Sequence, residues 1–182
     1  MIWQGLRIKA VLVALAIGLI CLFGGQWLYE KYGYQQSLQQ ALGQQPQVAD
    51  FAAEEQNGRL VVTIRLRSPD NLMPTYKKLE SLVGEALGSR PFVIEIADSR
   101  DAGLEEVLYR SQFAVYQALV QGSFKEMEAE VSANAREAGA ETRIYIDNDN
   151  VYLTFKKEDR FLAAVIPRNP APKATEGGSP YA

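Results

Sequence analysis

The amino-acid sequence predicts an α+β fold behind an N-terminal transmembrane helix, and three observations carry that prediction. Residues 10–29 hold no charged side chain. Beyond residue 47, several segments place apolar residues at every second position, the period of a half-buried strand. Between them lie segments with apolar residues every third or fourth position, the period of an amphipathic helix. The expected architecture is one extracytoplasmic domain over 48–168, with about six mostly antiparallel strands and three helices packed on the sheet.

The charge-free run is long enough to cross a bilayer, because about twenty residues rising 1.5 Å each match a hydrocarbon core of roughly 30 Å. Arg7 and Lys9 precede it, so residues 1–9 are expected in the cytoplasm and everything after the run outside it. Trp3 and Trp27 with Tyr29 suit the two membrane interfaces. A cleaved signal peptide is disfavoured, because Phe23-Gly24-Gly25-Gln26-Trp27 lacks an A-x-A-like cleavage pattern. Cys21 follows Gly18-Leu19-Ile20, the wrong order for a lipid-modified cysteine. The run is therefore read as an uncleaved signal anchor, held by the lipid bilayer through residues 10–29 in a bacterial cell envelope.

Residues 30–47 form a glutamine-rich stalk. Tyr34, Leu38 and Leu42 recur every four residues before Gly43, which suggests a short helix, either a solvated spacer with three apolar contacts to the domain or a dimerising seam. Val48 to Glu54 is a weak strand, Asn57-Gly58 a hairpin turn, and Arg59 to Arg67 a strand with Leu60, Val62, Ile64 and Leu66 on one side. A helix with Leu72, Tyr76, Leu79, Val83 and Leu87 follows, with Pro74 in its first turn and Gly88 at its end. Phe92, Ile94 and Ile96 mark a short strand. Asp98 to Asp101 supply caps for a long helix to about Gln121, in which Leu104, Val107, Leu108, Val115 and Leu119 face inward. Phe113 and Tyr116 add a second apolar flank, which predicts a central helix. Ser123 and Glu126 have capping-box spacing for a third helix, with Phe124, Met127 and Val131 inward and Gly139 at its end. Arg143 to Asp147 and Val151 to Lys156 alternate as two strands around Asp147-Asn148-Asp149-Asn150, and Phe161 to Ile166 is the last strand. The Pro- and Gly-rich residues 169–182 read as a disordered tail.

Composition removes several kinds of chemistry. The chain has no histidine, and its single cysteine, Cys21, lies in the anchor. Catalytic arrangements that use His or a Cys–His pair are excluded, as are zinc sites of His and Cys and any intramolecular disulfide. The formal net charge of -3, with both signs interspersed, gives no basic patch for nucleic acid. No G-x-S-x-G, S-x-x-K or Walker pattern occurs. The expectation is a non-enzymatic domain without cofactor or metal.

Three clusters merit weighing. Asp147, Asp149 and Glu158 match part of an EF-hand count, but Tyr152 stands where the glycine belongs and a strand begins at Val151, so a hairpin turn is preferred. Asp98, Arg100 and Asp101 lie where α/β sheets often bind ligands, but without a glycine-rich loop they read as a helix cap and an ion pair. Tyr145 and Tyr152 lie on the side of their hairpin opposite Ile144, Ile146, Leu153 and Phe155. They either pair across the strands under a helix or form an open partner-binding surface, and they are the candidate site residues.

The order helix–strand–strand–helix–strand is similar to that of ring-building and BON-type modules of envelope assemblies. The stretch from Phe92 to Phe155 shares the order of POTRA-type modules. Both are resemblances of element order without a motif, and both use the Phe92 strand, so no family is assigned. The expected function is protein interaction or self-association in envelope assembly; the alternative is an extracytoplasmic small-molecule-binding or sensor domain.

Overall fold

The computed structural model describes residues 33–68 and 70–169, and the fold is α+β. The expected anchor and all but the first residue of the expected tail lie outside the described residues. Among the described residues no helix is long and apolar enough to cross a membrane.

The described residues begin in helix α1 (33–42), followed by β1 (Val48–Gln56), β2 (Arg59–Leu66), α2 (Leu72–Leu87) and β3 (Phe92–Ala97). The strands β1 and β2 pair antiparallel across Asn57 and Gly58, with φ of 52° and 72°. Both angles lie in the left-handed region that two-residue hairpin turns demand. The strand β3 returns parallel to β2, after a crossover through α2, to give a sheet of order β1-β2-β3. Leu60, Val62, Ile64 and Leu66 are buried on its inner side, as the alternation predicts. They meet Leu38 and Leu42 of α1 and Leu72, Leu79, Val83 and Leu87 of α2 in one core. The stalk is therefore, from residue 33, a packed element of the domain. Tyr34 is partly buried against the same core, and the Arg90 guanidinium lies 5.4 Å from its ring centroid.

The second half comprises α3 (Ala102–Gln121), α4 (Phe124–Glu137), β4 (Glu141–Ile146), β5 (Asn150–Lys157) and β6 (Arg160–Pro167). The last three form an antiparallel sheet of order β4-β5-β6. The expectation of one sheet is corrected: the described residues form two three-stranded sheets. The Phe92–Phe155 stretch is not a unit either, because β3 hydrogen-bonds to β2. The sheets meet just beyond β3. Ser99 N donates to Phe161 O at 3.1 Å, Phe161 N donates to Ser99 Oγ at 3.0 Å, and Ala163 N donates to Asp98 Oδ2 at 3.0 Å.

The central strand β5 is covered on both sides. Val151, Leu153 and Phe155 pack with Leu162 against Leu104, Val107 and Val115 of α3 and Met127 and Val131 of α4. Tyr152, with Ala163 of β6, joins the other core, beside α2. The ring of Tyr76 on α2 meets Tyr152 edge-on at 5.8 Å.

Two local readings change. Ser123 makes no side-chain cap to α4, whose Met127 N instead donates to the Ser123 carbonyl at 3.1 Å, so the capping box is not formed. Gly122, with φ of 75°, already ends α3 with its N–H on Ala118 O, and the turn that follows gives Ser123 a backbone (φ -82°, ψ 54°) off the extended N-cap shape. Ile146, expected inside, is 36 % exposed because it ends its strand at the hairpin turn.

Because Leu38 and Leu42 lie in the core, trimming the chain to begin at Gln45 should lower its unfolding temperature markedly. Leu38→Ala alone should cost about 2–5 kcal/mol in denaturant titration. Unchanged stability of either variant would show that α1 is dispensable.

Candidate functional site

Tyr145 and Tyr152 stand opposite each other across β4 and β5, as the cross-strand alternative requires. They do not form an open face. Tyr152 is fully buried and Tyr145 half-buried, and both pack with the core that holds α2. The expectation of an exposed tyrosine surface is therefore corrected. A helix covers it, and an aromatic ring with a hydroxyl at its tip suits that position as well as it suits a surface.

Burying Tyr152 requires a partner for its hydroxyl, and the β4–β5 turn supplies one. Tyr152 OH donates to Asp147 Oδ2 at 2.9 Å, and Lys77 Nζ of α2 donates to the same oxygen at 2.9 Å. Oδ1 accepts from the backbone N–H groups of Asp149 and Asn150, each at 2.8 Å. Arg168 closes the turn from outside through its Nη1, 2.7 Å from the Asp147 carbonyl. Burial opposes ionisation of Asp147. The Asn150 N–H, the Lys77 ammonium, the Asp149 N–H and the Tyr152 hydroxyl outweigh it and hold the carboxyl well below the usual carboxylate range. Burial likewise pushes the Tyr152 phenol far up, with Asp147 adding to the shift, and pushes Tyr76 up to about 12. The cluster is a fully bonded clasp between α2 and the second sheet. Both oxygens of the Asp147 carboxylate are engaged within the hairpin turn and its contact with α2.

Asp98, Arg100 and Asp101 divide in the same way. Arg100 grips Asp98 through two bonds of 2.8 and 2.7 Å, and Asp98 also accepts from Ala163 N, so it braces the junction of the sheets. Asp101 caps α3 by accepting from Leu104 N at 2.9 Å. Among the described residues no group of three acidic, His or Cys side chains converges to hold a metal ion. A groove of about 230 Å³ between Gln35, Leu38 and Gln39 of α1 and Phe51 and Ala53 of β1 is smaller than ordinary small-molecule sites.

Among the described residues, four of the exposed large apolar side chains lie together on α3. Tyr109, Phe113, Tyr116 and Val120 are 58, 63, 58 and 87 % exposed. Their spacing of four, three and four residues lines them along one helix face. Tyr109 and Phe113 already meet edge-on at 5.9 Å. The helix packs inward through other residues: Leu104, Val107 and Val115 face the core, and Ser111, Ala114 and Ala118 are also buried. Asn134 of α4 donates to Ser111 Oγ at 3.4 Å. The second apolar flank expected to make α3 central is thus its outward face. Sequence reasoning missed this face because an apolar count cannot say which stripe of a doubly apolar helix is covered. The available signal was the row of small residues, Ser111, Ala114 and Ala118, which suits close helix packing.

No protein-family model matches this chain, and no curated protein matches it in sequence.

The depressed Asp147 titration gives a signed prediction. Its stabilising contribution is fully present above the unfolded-state value of about 3.9 and is lost as pH falls from there toward the lower folded-state value. Below about pH 4 the chain should lose stability along a limb that is shallower in Asp147→Asn. At neutral pH that variant should be less stable by about 1–3 kcal/mol. Parallel acid limbs in thermal unfolding would remove Asp147 as the cause.

Proposed function

We propose that this chain is a single-pass membrane protein whose extracytoplasmic α+β domain serves as a non-catalytic interaction module in an envelope assembly, docking a protein partner through α3. The observation that carries this reading is the exposed row Tyr109, Phe113, Tyr116 and Val120. Aromatic rings on a helix face, ready for a partner to bury, are the usual source of binding energy at protein interfaces. The charge-free run of residues 10–29 behind Arg7 and Lys9 supports the anchor and its orientation. The clasp at Asp147 and the brace at Asp98 use their polar groups internally, which favours binding over catalysis at those places.

Two measurements test the proposal. A photo-crosslinking residue in place of Phe113, in the full chain in its native membrane, should capture a protein, whereas one in place of the distant Glu54 should not. Equal or absent capture at both positions removes α3 as the docking face. A tag after Ala182 should be cleaved by protease added to intact spheroplasts; its protection would reverse the topology.

A further inference from the structure

We propose that the occupant of the α3 face is α3 of a second copy of this chain, the two helices running parallel. The inference rests on the reading of α3 as a docking face. It adds the identity of the partner and the register.

The four exposed residues repeat in the alternation of a two-stranded helical seam, with Phe113 and Val120 at one core position of the heptad and Tyr109 and Tyr116 at the other. In that frame Glu105 and Gln112 border the seam on one side, and Arg110 and Gln117 on the other. Parallel helices bring each residue of the first border against the residue five positions on in the second helix's other border. Glu105 of one copy then faces Arg110 of the other, and Gln112 faces Gln117. Two-fold symmetry repeats both pairs. Opposite charges meet in the first pair, and amide donors meet acceptors in the second. An antiparallel pairing places each border against its own kind, so Arg110 faces glutamine and Glu105 has no cation opposite.

The bonds these side chains already make do not stand in the way. Arg110 holds Glu106 at 2.8 Å and lies 3.8 Å from Glu137, all at exposed positions where ion pairs exchange at little cost. Gln117 Nε2 donates to Gln121 Oε1 at 3.2 Å, also in the open. Glu106 falls at the next core position toward the N-terminus, so the apolar seam runs from Tyr109 to Val120 and stops there. Ser111, Ala114 and Ala118 are buried on another side of α3, where Asn134 of α4 meets Ser111, and the four seam residues are all exposed.

The test uses the full chain in detergent, with Cys21→Ser removing its only cysteine. Light scattering should give a dimer. Phe113→Ser, at an exposed position, should leave the domain folded with an unchanged circular-dichroism spectrum yet raise the dissociation constant about tenfold or more. Val120→Cys chains should form a disulfide-linked dimer under mild oxidation, as a parallel register requires. Glu105→Arg and Arg110→Glu should each weaken the dimer, and the double swap should restore it. Crosslinking only between Tyr109→Cys and Val120→Cys chains would overturn the parallel register in favour of an antiparallel one. A monomer whose Phe113 position still captures another protein in membranes overturns self-pairing and leaves the docking face standing. A monomer with no capture defeats both.

Discussion

The burial of β5 on both sides is the constraint on which the rest of the structure depends. Five successive residues, Val151 to Phe155, are withdrawn from solvent. A strand points alternate side chains to opposite faces, so each face of β5 needs its own cover. Helices α3 and α4 cover Val151, Leu153 and Phe155, and α2, from the first half of the chain, covers Tyr152. The second cover joins the halves: Tyr76 packs on the Tyr152 ring, and Lys77, one residue on, reaches Asp147. Each fully buried Leu, Val or Phe contributes about 1.5–3 kcal/mol relative to exposure. Neither half can leave the other without returning part of that surface to water. The Asp147 clasp adds direction, since it meets the buried phenol with a carboxylate that its own turn has already oriented.

Much of this architecture was legible in the residues, and what was not has physical causes. Leu60, Val62, Ile64 and Leu66 read correctly because Arg65 and Arg67 mark the opposite side as solvated. The alternation in β5 has no such mark: Tyr152 is polar only at its tip and is buried with that tip bonded to Asp147. The absence of any charge from Val151 to Phe155 was the sign of a strand covered twice. The division into two sheets was not legible, because it depends on β3 crossing over to run parallel to β2, which pairs distant residues and leaves no local pattern.

The α3 face was misread for a related reason. Its apolar residues cover more of the helix circumference than one stripe, so both Val107–Val115 and Phe113–Tyr116 satisfy a helical period. Packing decides between them. Ser111, Ala114 and Ala118 are buried, with Ser111 meeting Asn134 of α4, while Val107 and Val115 share the core with β5. Phe113 and Tyr116 are then left pointing outward. The large rings that looked most like core are surface, while smaller neighbours on the same helix are buried.

An exposed aromatic row costs a monomer solubility, and four residues per copy make a seam smaller than a typical stable interface. Both facts fit a tethered protein better than a free one. In the proposed anchored state, two copies share one orientation and move in a plane, which raises their effective concentration without any new contact. A seam that already pairs in detergent is then occupied more fully in the membrane and can still exchange. Removing the anchor would weaken self-pairing through concentration alone, with the α3 geometry unchanged. Truncating Phe113 would weaken it through contact, with the tether intact. The two perturbations act on separate parts of the same equilibrium, so their effects on the apparent dimerisation constant should multiply.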